Sequence, residues 1–163
     1  YDTACAVAAL ASCLAPNDPA TALEVFDRHL AGSDFAAMMA NRLLLASIHA
    51  ASGKVVPSTR IITSTCRRLE SAGQHAFPDA LVPVAMLAAA LGDEQRARFY
   101  VSAVRRSDRR TQSLQITCLY QQLRSRFSDA DDISHDSSNS DDVAVEALAW
   151  LESLAVASGQ EPP

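Results

Sequence analysis

Arginine is the residue type whose number and spacing in this sequence most favour a binding chemistry. Thirteen of the fourteen basic residues are arginine, and eight of the fourteen lie between residues 96 and 126. Guanidinium groups bind carboxylates and phosphates through paired hydrogen bonds. We define as the arginine ridge the arginines that we expect at or just after the C-terminal ends of helices: Arg67, Arg68, Arg105, Arg106, Arg109, Arg110, Arg124 and Arg126. The competing interpretation is that these side chains only complement the helix dipole and solvate the surface.

The residue types that usually form a catalytic site show no recognisable arrangement. None of the usual ligand spacings, such as His-Glu-x-x-His or Cys-x-x-Cys, occurs among the four histidines and four cysteines. A thiol nucleophile at Cys66 or Cys118 would need a flanking motif, and none is present. Glycine-rich phosphate loops and the Gly-x-Ser-x-Gly elbow are also missing. We therefore expect no enzymatic activity, no metal and no cofactor, and we interpret the cysteines as small core residues in a reducing compartment.

The elements that must position the arginines are predicted to be helices. Alanine, leucine and arginine are abundant, and all three favour helix. Apolar spacing together with proline and glycine boundaries predicts helices at 3–14, 19–30, 33–52, 57–69, 78–91, 93–106, 111–127 and 141–156. Pro78 and Pro83 bracket the start of the fifth helix, because proline is tolerated only in a first turn. The predicted fold class is all-α.

A change of composition divides the chain. Residues 128–140 are rich in Ser, Asp and Asn, and six aspartates lie between Asp129 and Asp142. We predict a helical-repeat domain at 1–127, an acidic solvated linker at 128–140, an amphipathic helix at 141–157 and a tail at 158–163. The amphipathic helix contains the only tryptophan. We expect it to cap the helical stack, and the alternative is that it docks on a partner.

Small residues recur with a spacing that resembles the tetratricopeptide repeat. A small residue is followed by glycine after seven positions and by a second small residue after five more. The pattern is formed by Ala46, Gly53 and Ser58 and, 39 residues later, by Ala85, Gly92 and Ala97. Serine at 58 replaces the second alanine of the family pattern. The resemblance implies that pairs of helices pack closely through these residues while the glycine turns the chain.

The related pentatricopeptide repeat is resembled by two other segments. Residues 22–27 look like its second helix, and Pro57 keeps the family's distance to the Ala-Gly turn at 72–73. The alanine expected five residues after Gly73 is absent, and residues 62–64 lack the family's Thr-Tyr-Asn, so its base-reading positions are not assigned. The two resemblances cover about residues 19–106. They imply a right-handed α-hairpin solenoid of about seven helices plus a tethered C-terminal helix.

These patterns favour a binding function. We predict a non-enzymatic helical-repeat scaffold that holds a protein partner within a larger assembly. One alternative is an RNA-associated component of an organellar ribonucleoprotein or ribosome that uses the arginine ridge, and another is a repeat segment of a bacterial regulator or secretion chaperone. The net charge of −5 argues against general coating of nucleic acid. Because no run of 18 apolar residues occurs, we expect no membrane insertion. The expected compartment is the cytoplasm or the mitochondrial matrix.

Overall fold

The all-α prediction is confirmed by a computed structural model, which describes residues 2–15, 17–30, 35–71, 77–106, 114–127, 140–157 and 159. These residues form eight α-helices and no strand. The helices are α1 (Asp2–Leu14), α2 (Pro19–His29), α3 (Phe35–Ala51), α4 (Val55–Ser71), α5 (Phe77–Ala90), α6 (Glu94–Arg106), α7 (Leu114–Arg126) and α8 (Ser140–Ala157). The predicted linker lies outside the described residues except for residue 140, and of the predicted tail only Gly159 is described.

Helix α5 is the centre of the fold. It packs against α3, α4, α6, α7 and α8, and every residue from 80 to 89 is buried. Pro83 lies inside this helix, so the expectation that it falls in the first turn is wrong. An interior proline removes one helical hydrogen bond and costs about 3 kcal/mol. A helix that is apolar on all sides is stabilised by burial, and burial here outweighs the local penalty.

The hairpins α3–α4 and α5–α6 are closed by the same glycine turn. Gly53 has a φ of 77° and Gly92 a φ of 80°, the left-handed region that glycine enters most readily. In the first turn the Lys54 N–H donates to the His49 carbonyl at 2.8 Å. The equivalent bond closes the second turn, where the Asp93 N–H donates to the Ala88 carbonyl at 3.0 Å. Both are Schellman motifs, which satisfy the last carbonyls of the preceding helix.

The small residues that carry the repeat-like spacing lie where paired helices meet. Ala46, Ser58, Ala85 and Ala97 are all fully buried. In the α3–α4 hairpin the Ser58 hydroxyl donates to the Ala46 carbonyl at 2.8 Å. Serine can therefore replace alanine at this position, because its hydroxyl finds a backbone acceptor inside the helix contact.

Helices α7 and α8 complete the packing around three helical hairpins, α1–α2, α3–α4 and α5–α6. Helix α7 contacts α1, α3 and α5, the first helix of each hairpin, and it also contacts α6. Gln122 of α7 donates its side-chain N–H to the Ser12 carbonyl of α1 at 3.1 Å. Helix α8 packs against α4, α5 and α6. This contact favours the capping interpretation of the C-terminal helix over docking on a partner.

Candidate functional site: the arginines of α6 and α7

The arginine ridge separates into members that are used within the chain and members on the surface of α6 and α7. The Arg67 guanidinium of α4 donates to a Glu152 carboxylate oxygen of α8 at 3.0 Å. Arg67 therefore helps to hold α8, while Arg68 beside it is exposed. Arg109 and Arg110 lie outside the described residues.

The other described members of the ridge are exposed at two helix ends. Arg105 and Arg106 lie in the last turn of α6, and Arg124 and Arg126 lie in the last turn of α7. The Arg106 guanidinium donates to the Ser102 carbonyl one turn earlier at 3.3 Å. Basic side chains at these ends complement the negative pole of each helix dipole, as expected.

Arg98, which is not part of the predicted arginine ridge, lies against the same aromatic ring as Arg126. The guanidinium carbon of Arg98, on α6, lies 5.4 Å from the centroid of the Phe127 ring, and that of Arg126 lies 5.3 Å from the same centroid. Arg98 is seven residues before Arg105, which places it about 10 Å away along the axis of α6. The end of α7 therefore lies near the N-terminal half of α6, and the structure brings Arg126 together with Arg98.

Sequence reasoning missed Arg98 because it searched the ends of helices. Two signals were present in the sequence. Arg98 has the same helical phase as Arg105, and Phe127 directly follows Arg126. An aromatic residue at a helix end beside basic residues is a pattern that can hold guanidinium groups over a ring.

The arginines of α6 and α7 differ in the partners that surround them. Among the residues that the structure describes, no carboxylate forms an ion pair with Arg98, Arg105, Arg124 or Arg126. Glu94 lies one turn before Arg98 on α6, and the two are not paired. Within the described part of the chain, no acid neutralises these four charges.

Arg96 shows the opposite arrangement on the same helix. Its guanidinium donates to a Glu146 carboxylate oxygen of α8 at 2.6 Å and to an Asp93 carboxylate oxygen at 3.2 Å. It also lies 4.8 Å from the centroid of the Trp150 ring of α8. The buried Tyr100 hydroxyl donates to the second Glu146 oxygen at 2.8 Å. This junction fixes α8 on α6.

Burial sets the protonation of Tyr100 at this junction. It raises the pKa of the phenol above its ordinary range, and the hydrogen bond to Glu146 acts in the same direction. The neutral phenol is the form that donates to the carboxylate. The α6–α8 junction is therefore a structural clamp, and its groups are already committed to one another.

The structure describes the surroundings of three cysteines, Cys13, Cys66 and Cys118. Burial raises the pKa of Cys118, and the nearby Cys13 thiol acts in the same direction. Reactive thiols instead have a lowered pKa. Cys66 is buried, whereas Cys13 is exposed, so its assignment to the core is wrong. Helix α1 buries residues 8, 11 and 12, and Cys13 lies on another side.

Within the described part of the chain, no three His, Cys, Asp or Glu side chains are grouped so that they would hold a metal ion. Burial chiefly, and then the charge of Lys54, lower the pKa of the half-buried His49. None of the described helices combines the length and the apolar character needed to cross a bilayer. No family model, curated protein or solved structure matches this chain.

Proposed function

We propose that this chain is a non-enzymatic helical scaffold that holds an acidic protein partner on the surface formed by α6 and α7. The observation that carries the proposal is the set of four arginines on these helices, Arg98, Arg105, Arg124 and Arg126, which have no carboxylate partner among the described residues. Arg67 and Arg96, in contrast, are neutralised by acids of α8. A positive surface of this kind attracts an acidic partner and orients it.

A protein partner suits this surface better than RNA does. Single-stranded RNA is usually bound by exposed aromatic rings that stack on the bases. Among the aromatic side chains whose burial the structure describes, no ring is exposed, and Phe127 is only 4% exposed. The net charge of −5 also opposes a long polyanion more than it opposes a few acidic side chains.

We also propose that α1–α6 form a short right-handed stack of three tetratricopeptide-like hairpins. The repeated glycine turn, the 39-residue spacing and the buried small residues support this arrangement. In a simple repeat stack each unit contacts only its neighbours. Helix α7 contacts the first helix of all three hairpins, and it therefore covers a side that these hairpins share. This occupancy is a further reason to place the partner on α6 and α7.

The test is recovery of the tagged protein from the cells that encode it, with half of each eluate treated with nuclease. Three forms are compared: wild type, Arg105→Glu with Arg124→Glu, and Arg60→Glu. Arg60 is a matched control because it is an exposed arginine on α4, which packs against α3, α5 and α8.

We expect a discrete set of proteins that survives nuclease, is depleted in the double variant and is retained by Arg60→Glu. Loss of all partners on nuclease treatment would replace the proposal with an RNA-associated function. Partners that are retained equally by all three forms would refute the assignment of the binding surface.

A further inference from the structure

We infer that Arg98 and Arg126, held on the Phe127 ring, form a carboxylate-binding pair that recognises an acidic side chain of a peptide partner. The inference rests on the proposed function and goes further, because it names the residues and the chemical group that they bind.

The pair is positioned before any partner arrives. Phe127 is buried, and its N–H donates to the Leu123 carbonyl at 2.9 Å, which continues the hydrogen bonding of α7. The ring is therefore fixed between α6 and α7. Each guanidinium lies within cation–π range of it. Because arginines lose much side-chain entropy when they bind, positions that are already restricted lower the cost of binding an anion.

The charges around the pair favour an anion. Two positive groups lie against one apolar ring, and no carboxylate of the described residues pairs with either. Arg98 is also half-buried, which reduces the water that can screen its charge. Two positive groups within 5.4 Å of one ring centroid repel each other, and an anion that binds beside them relieves the repulsion. Arg96, two residues earlier, already has two carboxylates.

The groups that the pair offers favour a carboxylate over a nucleic acid. A carboxylate accepts two parallel hydrogen bonds from one guanidinium and has lone pairs left for a second. The faces of Phe127 are not open to bases, since the ring is buried and guanidinium groups lie against it. The site therefore offers planar hydrogen-bond donors without a surface for base stacking.

The experiment is fluorescence anisotropy of the full chain with a labelled short glutamate peptide. A glutamine peptide of the same length is the first control, and a labelled single-stranded RNA is the second. The variants are Arg98→Gln, Arg126→Gln, Phe127→Leu and the control Arg60→Gln. Circular dichroism checks that each variant keeps the helical content of wild type.

We expect the glutamate peptide to bind and the glutamine peptide not to bind. Arg98→Gln and Arg126→Gln should each weaken Kd about tenfold, a loss typical of a hydrogen bond to a charged group. Phe127→Leu keeps an apolar side chain but removes the ring, and it should weaken binding by a smaller factor. Arg60→Gln should bind like wild type.

Three results would overturn the inference: equal binding of the two peptides, an equal loss in Arg60→Gln, or tighter binding of the RNA than of the glutamate peptide. Failure of the inference is distinguishable from failure of the proposed function. If the partners recovered from cells are retained when Arg98 and Arg126 are both glutamine, the scaffold remains and only this pair is excluded. If no protein partner is recovered, peptide binding still tests the pair by itself.

Discussion

Replacing Leu151 with alanine tests whether α8 is an integral part of the fold. Leu151 is fully buried, and its helix α8 packs against α4, α5 and α6. If α8 is a cap, the loss of this side chain must destabilise the whole domain. If α8 is a tethered helix that docks only on a partner, the same change will leave the rest of the chain unaffected.

The expected cost follows from the burial of the side chain. A fully buried leucine contributes about 2–3 kcal/mol from removal of its apolar surface from water. Truncation to alanine also leaves a cavity, and such changes cost about 2–5 kcal/mol in well-packed cores. We therefore expect a decrease of about 3 kcal/mol in the free energy of unfolding. For a chain of this length that corresponds to a decrease of about 6–12 °C in Tm.

The assay is urea unfolding followed by two probes in parallel. Circular dichroism reports all the helices, and the fluorescence of Trp150 reports α8 alone because it is the only tryptophan. Its ring lies 6.2 Å from the Tyr100 ring of α6, so undocking changes its surroundings. The control is Val145→Ala, since Val145 is 68% exposed on the same helix.

We expect both probes to give one coincident transition in wild type and the same shift of both in Leu151→Ala. Val145→Ala should move neither by more than a few tenths of a kcal/mol. The reasoning is refuted if Trp150 changes at a lower urea concentration than the helical signal, or if the helical transition of Leu151→Ala coincides with that of wild type.

Three further experiments test other parts of the structure. Gly92→Ala should lower the free energy of unfolding in urea by about 1 kcal/mol, because a φ of 80° is strained for alanine. No atom lies within 4 Å of the added Cβ, so steric contact adds nothing to this cost. An unchanged unfolding midpoint would contradict the turn geometry. Maleimide labelling of the native protein, followed by peptide mass spectrometry, should modify exposed Cys13 first, then Cys118, whose pKa is raised by burial, and buried Cys66 last; a different order would contradict the packing of α1 and α7. Because burial raises the pKa of Tyr100, the unfolded chain releases this proton first, so the free energy of unfolding should fall as the pH rises above about 10. Tyr100→Phe should reduce that fall in urea titrations, and an identical pH profile would contradict the junction.

The helices were predictable because capping residues, prolines and glycines define most of their ends. Asp18 caps α2 through the Thr21 N–H, and Pro19 occupies the first turn. Gly53 and Gly92 end α3 and α5 through the same backbone conformation. All of these signals act over a few residues, so they can be read without knowledge of the tertiary structure.

The interior position of Pro83 was not predictable from local rules. Proline disfavours the middle of a helix, and the local argument therefore placed it in a first turn. The outcome depends on five neighbouring helices that bury α5 from every side. Those contacts come from residues far away in the sequence, so the residues next to Pro83 do not indicate them. The arrangement of α7 across α1, α3 and α5 escaped prediction for the same reason.

The candidate site shows the same division between local and distant causes. The positions of Arg124 and Arg126 at a helix end followed from the sequence. The commitment of Arg67 to α8 did not, because its acid, Glu152, is 85 residues away. Similarly, Arg98 became a candidate only when α7 placed Phe127 beside it.

Helix α6 indicates how one element can serve both the fold and a partner. Arg96 and Arg98 are two positions apart, and in a helix that spacing directs their side chains to nearly opposite sides. Arg96 meets the carboxylates of Asp93 and Glu146, and its charge is used to dock α8. Arg98 meets Phe127 and Arg126, and its charge has no acid among the described residues. What an arginine does in this protein therefore depends on whether the packing brings a carboxylate to it. On that argument, substitution of Arg96 should reduce stability, whereas substitution of Arg98 should reduce binding with little effect on stability.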